Sequence, residues 1–163
     1  MDLKQAIRDF LVDDRTLNDT VRNDARIEIR NIVGDNIFDG RKRQGSYKFA
    51  ITLDSLGGDV ANALDGPVGI AMPMIDISTW GKDGDGHEGL RARLDFALRS
   101  LLHQFRGKLN DSITVQICNL EGEPLGRPIA PIDASDGWTH RKSYSFMFGY
   151  SITVPGGAAA AVI

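Results

Sequence analysis

Residues 3 to 12 place Leu3, Ile7, Phe10 and Leu11 on one helical face. A second stripe, Leu17, Val21, Ala25, Ile29, Ile32 and Val33, recurs at steps of three or four and predicts another helix. Thr16 with Asp19 reads as a capping box, and Gly34 suits the left-handed position past the helix end. The stretch IEIRNIV also scans as a strand; helix is the preferred reading. Beyond the basic loop GRKRQG the period changes to two. In YKFAITLDS, Tyr47, Phe49, Ile51 and Leu53 alternate with Lys48, Ala50, Thr52 and Asp54, as in a half-buried strand. SLGGDVANALDGP reads as a connection. VGIAMPMIDISTW reads as the next strand, where Pro73 implies an edge position, a bulge or two shorter strands.

The strongest helical pattern runs from Glu88 to Phe105, with Leu90, Leu94, Ala97, Leu98, Leu101 and Phe105 as its stripe. SITVQIC follows, with Ile113, Val115 and Ile117 inward and Thr114, Gln116 and Cys118 outward. A long loop, EGEPLGRPIAPIDASDG, leads to HRKSYSFMFGYSITV, whose Tyr144, Phe146, Phe148, Tyr150 and Ile152 share a face. The order is α-α-β-β-α-β-β. One-faced alternation predicts an α+β domain with a single antiparallel sheet of about four strands and helices on one face. The domain is expected over residues 1–154, followed by a flexible tail over 155–163, PGGAAAAVI.

The 163 residues suit one domain, and a net charge of -3 gives no general attraction to nucleic acid. No apolar run approaches membrane-spanning length, and the charged N-terminus does not read as a secretory signal. The single cysteine, Cys118, excludes an internal disulfide and any multi-cysteine zinc site.

One stretch raises a chemical question. GDGHEG, Gly84 to Gly89, spells the G-x-G-x-x-G of dinucleotide sites between a strand and a helix. The details argue against a cofactor. The following strand alternates, the expected ribose-binding acid is misplaced, and Asp83, Asp85 and Glu88 would repel a pyrophosphate. Asp83-x-Asp85 opens like a calcium loop, but Glu88 and Leu94 stand where Gly and Glu are required. No catalytic, cofactor or metal residues are expected. The surfaces are more telling. Phe96 lies off the helix stripe and near His103, as a subunit anchor would. The outward sheet residues, among them Ala50, Thr52, Ser145, Met147 and Ser151, carry too little charge for a face turned to water.

In pattern and order the chain resembles the small tail-completion, or tail-terminator, proteins of tailed bacteriophages and gene-transfer particles. The likeness rests on the amphipathic N-terminal helix, VGDNIFDG, IDISTWG running through the Gly/Asp loop, the helix ending LLHQFRG, and HRKSYSFMFGYSI. It implies a non-enzymatic virion protein of the tail or neck, assembled in the host cytoplasm. This would be a ring of copies, usually hexameric, that caps the finished tail tube and docks the head–tail connector or stopper. DNA would pass through its lumen without sequence-specific binding. Another neck component, such as a stopper or adaptor, is the alternative within this class. A small nucleotide- or metal-binding enzyme built on Gly84–Gly89 is the alternative outside it. The candidate subunit or neck interface comprises Phe96, His103, Arg41, Lys42, Arg43, Arg127 and Trp138. Rim contacts are expected from GRKRQG, the proline-rich loop and PGGAAAAVI.

Overall fold

A computed structural model describes residues 3–40, 48–63, 66–128, 140–153 and 159–161. Helix α1 (Leu3–Val12) buries Leu3, Ala6, Ile7, Phe10 and Leu11, the predicted face. Helix α2 (Thr20–Val33) covers IEIRNIV, so the strand alternative there falls. Its N-cap is Asp19 itself, whose carboxylate accepts from the Arg22 amide. Gly34 closes the helix at φ 65°, a backbone angle that disfavours any side chain. The buried face of α2 is Ala25, Arg26, Ile29 and Val33. Val21, expected inside, stands 64% exposed.

The strands are β1 (Ile37–Asp39), β2 (Phe49–Ala63), β3 (Gly66–Gly81), β4 (Gly107–Lys108), β5 (Ile113–Leu120), β6 (Leu125–Pro128), β7 (His140–Thr153) and β8 (Ala159–Ala161), with helix α3 (His87–Leu102) after β3. They pair in the order β1-β2-β3-β7-β5-β4, while β6 and β8 also pair with β7. The expected four-stranded antiparallel sheet is therefore corrected to a mixed sheet, with six strands along its main path and β6 and β8 added at β7, that curls into a half-barrel with three helices. The strand that makes it mixed is β1, parallel to β2 with Ile37 opposite Ile51. The reason is length. β1 has three residues and β4 two, too few to display a period of two, and each forms because a longer strand offers it an open edge. The same holds for β8, which lies within the predicted tail and pairs with Ser151–Thr153.

Three register shifts explain further departures. SLGGDVANALDGP, predicted as a connection, is mostly strand: β2 and β3 stay paired from Phe49↔Gly81 to Ala63↔Gly66. Register shifts between Ser55 and Gly58, and between Val60 and Asn62, break the alternation that would have revealed it. Pro73 sits opposite Gly58 beside the first shift, and β3–β7 pairing skips it, as its missing N–H requires. In β5 a shift between Val115 and Ile117 turns the chain over. Cys118 therefore faces the core at 1% exposure, and Ile117 is only half-buried, the reverse of the expected alternation. Burial pushes the Cys118 thiol up to about 12, against a smaller opposing pull from Arg22, so it is no nucleophile at neutral pH.

One core holds these elements together. Phe49, Ile51, Leu53, Ile75, Ile77, Tyr144, Phe146 and Phe148 face Ile7, Phe10, Leu98, Leu101 and Leu102 of the helices. Arginines of the N-terminal segment fasten its rim. Arg22 donates to the Ser100, Leu101 and His103 carbonyls at 3.3, 2.6 and 3.2 Å, taking the orphan acceptors at the end of α3. Arg15 donates to the Lys108 and Leu109 carbonyls at 2.6 and 2.9 Å. Arg26 and Arg30 share the Asp13 carbonyl just past α1. Much of the positive charge on α2 is thus spent on the protein's own backbone.

Candidate functional site

The glycine loop acts as a packed hinge. β3 and β5 both run antiparallel to β7, hence parallel to each other, and α3 links them in the chain. A β-α-β unit does exist here, but β7 occupies the slot between its strands, where a dinucleotide fold needs an adjacent parallel strand. The loop itself is filled. His87 is 6% exposed, its Nδ1 lies 2.6 Å from the Lys82 carbonyl, and its ring meets Phe49 edge-on at 5.2 Å between centroids. A Cβ on Gly84 would come within 2.5 Å of the His87 ring, so this glycine exists to admit the imidazole. Gly86 caps α3 at φ 77°. The backbone that a phosphate would need to approach at Gly84 is covered by His87.

Beside this hinge, a cleft of about 390 Å³ runs between α3 and the β3–β7 pair. Its polar groups are tied to one another. The Tyr144 hydroxyl and the Lys142 and Arg99 side chains all donate to Asp95. Partial burial works against the Asp95 carboxylate, yet these donors together hold it below the usual carboxylate range. Burial, and then Asp95, push the Tyr144 phenol well above its ordinary range. Across the cleft mouth, His140 and Arg91 both lean on Asp83, at 2.9 and 4.0 Å. The cluster locks α3 to β7, with its ionisable groups committed to each other.

The far face of the sheet differs from expectation. Ala50 and Thr52, read as outward and available, are at most 2% exposed in the single chain. Asp76 and Ser78 are buried there too. Trp80 donates to Thr52 at 2.9 Å, and Arg141 lies 4.8 Å over the Trp80 ring while contacting Ser78 and Asp76. The low charge of that face thus reflects, in part, burial by the chain itself. One group is ill at ease. Asp76 stands opposite Asp54 across the β2–β3 pair, and its Oδ1 has no hydrogen-bond partner among the described residues. Burial raises the Asp76 carboxyl above its usual range; Ser78 and Arg141 oppose this, and Asp54 adds to it.

A raised carboxyl pKa costs stability once the pH exceeds the folded-state value and costs nothing below the unfolded one, near 3.9. Asp76→Asn is therefore expected to raise the melting temperature at pH 7. That advantage should shrink as the pH falls through the raised pKa of Asp76 and vanish at strongly acid pH. Melts at a series of pH values check it; a pH-independent difference would show that charge at Asp76 is not the cause.

The interface candidates separate. Phe96 is 72% exposed and, with Val21, Ala25, Ala92 and Ala97, lines a groove of about 640 Å³ between α2 and α3. Arg93 and Glu28 form an ion pair that ties the two helices there. His103 does not line this groove; it ends α3, and its Nδ1 accepts from the Leu120 amide at 3.2 Å. Arg127 lies on β6 opposite Arg141. Arg41, Lys42, Arg43 and Trp138 fall outside the described residues. Val21 was missed because its spacing from Ala25 matched the core stripe; the buried Arg26 one step further on shows how far α2 is rotated.

No protein-family model and no curated protein matches the sequence. Among solved structures, the fold is similar to that of a chain in a structure described as the virion of a native gene transfer agent (GTA) particle. The TM-score is 0.55 and the identity 16%, over 91% of this chain and 93% of that one.

Proposed function

We propose that this chain is a structural virion protein of a phage-like particle, a ring subunit that caps the tail tube, ends its polymerisation and offers the surface for head joining. The observation that carries the reading is the shared fold with a gene-transfer-agent virion chain, which spans nearly the whole of both chains. The groove at Phe96 and Val21 supports it. Two large apolar side chains flanking one hollow are unusual on a surface meant for water alone, and α2 and α3 present them side by side. The buried polar clusters described above serve packing, which suits a building block.

The test is assembly. Purified protein is mixed with tail tubes of its own particle and followed by electron microscopy and sedimentation. Rings at one tube end, with arrested tube growth, are expected. Phe96→Asp should weaken ring formation at least tenfold while its melting temperature stays within a few degrees of the parent, because the side chain is already solvated. A protein that neither self-associates nor binds tube ends would overturn the reading. Binding only at the portal, away from the tube, would make it an adaptor or stopper.

A further inference from the structure

The helix layer and the sheet present apolar side chains on opposite sides of the core. On the helix side stands Phe96, 72% exposed at the groove between α2 and α3, with Val21 lining the same groove. The other side is the sheet face turned away from the helices. Side chains alternate along β3 and β7, so Met74 and Met147 point away from the core that Ile75, Ile77, Phe146 and Phe148 enter. The two methionines stand opposite each other across the β3–β7 pair. Ile117 joins them on β5, turned outward by the register shift there. All three are half-buried in the single chain, and Leu56 on β2 is 56% exposed.

Charge borders each apolar centre. On the helices, the side chain of Arg93, one turn before Phe96, is 61% exposed, and Asp24 of α2 lines the same groove. On the sheet, Asp54 and Asp76 face each other next to the methionines, and Arg141 reaches Asp76 at 3.5 Å. Among the described residues, two carboxylates there share one guanidinium. The spacings also agree. Arg93 and Phe96, three apart on a helix, stand about 5–6 Å from each other. Asp54 and Leu56, two apart on a strand, are separated by about 7 Å.

We propose that the Phe96 face of one copy packs on the Met74–Met147 face of the next, with Arg93 directed at Asp54. The inference rests on the ring reading above and names its subunit contact. The two faces differ and lie on opposite sides of the core, so the contact is heterologous. It repeats head to tail and closes into a ring when the rotation closes. Methionine suits the receiving side, because its flexible thioether moulds to an aromatic ring and makes favourable contact with its edge. A cation from the neighbour relieves two carboxylates held side by side. Asp24 and Arg141 supply the reverse pair, so both signs meet their opposites across the contact.

Blocking one face at a time tests this. Phe96→Asp blocks the helix face and Met147→Lys the sheet face. Asp54→Lys blocks the sheet face through charge alone and decides the matter should Met147→Lys fail to fold. Assembly is measured by sedimentation, with and without tail tubes, beside melting curves. Each variant alone is expected to assemble at least tenfold more weakly than the parent while remaining folded. Phe96→Asp mixed with an equal amount of either sheet-face variant should form a one-to-one pair that grows no further, because each partner keeps one intact face. Folded sheet-face variants that assemble like the parent overturn the contact while the ring reading stands. So does a mixture that forms no pair. Self-pairing of Asp54→Lys alone would show Phe96 meeting its own copy and would also overturn it. A parent that forms no oligomer even with tubes removes both readings.

Discussion

Removing the Asp13 carboxylate with Asp13→Ala is expected to destabilise the fold by about 3 kcal/mol, the low end for breaking a buried ion pair. Arg26 is 1% exposed, and its guanidinium rests on the Asp13 carboxylate and on the Asp13 carbonyl at 2.6 Å. The low end applies because the Asp13 side chain is 34% exposed, so water takes up part of the loss. Arg26→Met removes the charge and keeps an apolar stem. It leaves the Asp13 carbonyl to Arg30 alone and is expected to cost only about 1 kcal/mol. Urea titration of both variants decides between the two roles of Arg26. If Arg26→Met is the worse, the arginine acts mainly as a clamp on the end of α1. If Asp13→Ala is the worse, compensation of buried charge dominates.

The second large effect lies in the sheet. Phe146 is fully buried, opposite Ile75 of β3 and Leu120 of β5, between the rings of Tyr144 and Phe148 at 6.4 and 6.2 Å. Phe146→Ala is expected to cost about 4 kcal/mol, from lost transfer energy and the cavity left behind. That is a large part of the total stability of a domain this size, about 5–15 kcal/mol. Phe146→Leu, which keeps most of the volume, should cost less than about 1.5 kcal/mol. Equal losses in the two variants would show that neighbouring strands collapse into the space. The midpoint should move without a change in denaturant slope, because both variants expose the same surface on unfolding.

The interface candidates show the limits of reading a surface from sequence. Phe96 was legible because a long helix keeps its phase, and one apolar residue out of register with six stands out. Val21 was not, because α2 turns its face by one residue to bury Arg26. An arginine at a core position carries no apolar signal; only the carbonyl it meets, at Asp13, makes it a core residue. A hollow lined by Arg15, Arg22, Arg106 and Lys108 joins residues from near position 15 with residues near 107, which no local pattern connects.

What the sequence determined by itself is what a regular period can carry. The three helices and the four long strands each repeat their apolar residues often enough to be seen, and Gly34 and Gly86 mark turns. Tertiary structure decided the rest. Short strands β1, β4, β6 and β8 exist because a neighbour offers hydrogen bonds, not because of their own side chains. The shift in β5 inserts one backbone residue and so exchanges the two faces of that strand; that turned Cys118 inward. β7, the last long strand in the chain, entered between β3 and β5, and this long-range pairing made GDGHEG a hinge closed by His87. A local period reports which way a side chain points along its own element. Which element lies beside it is set by pairing across the whole chain.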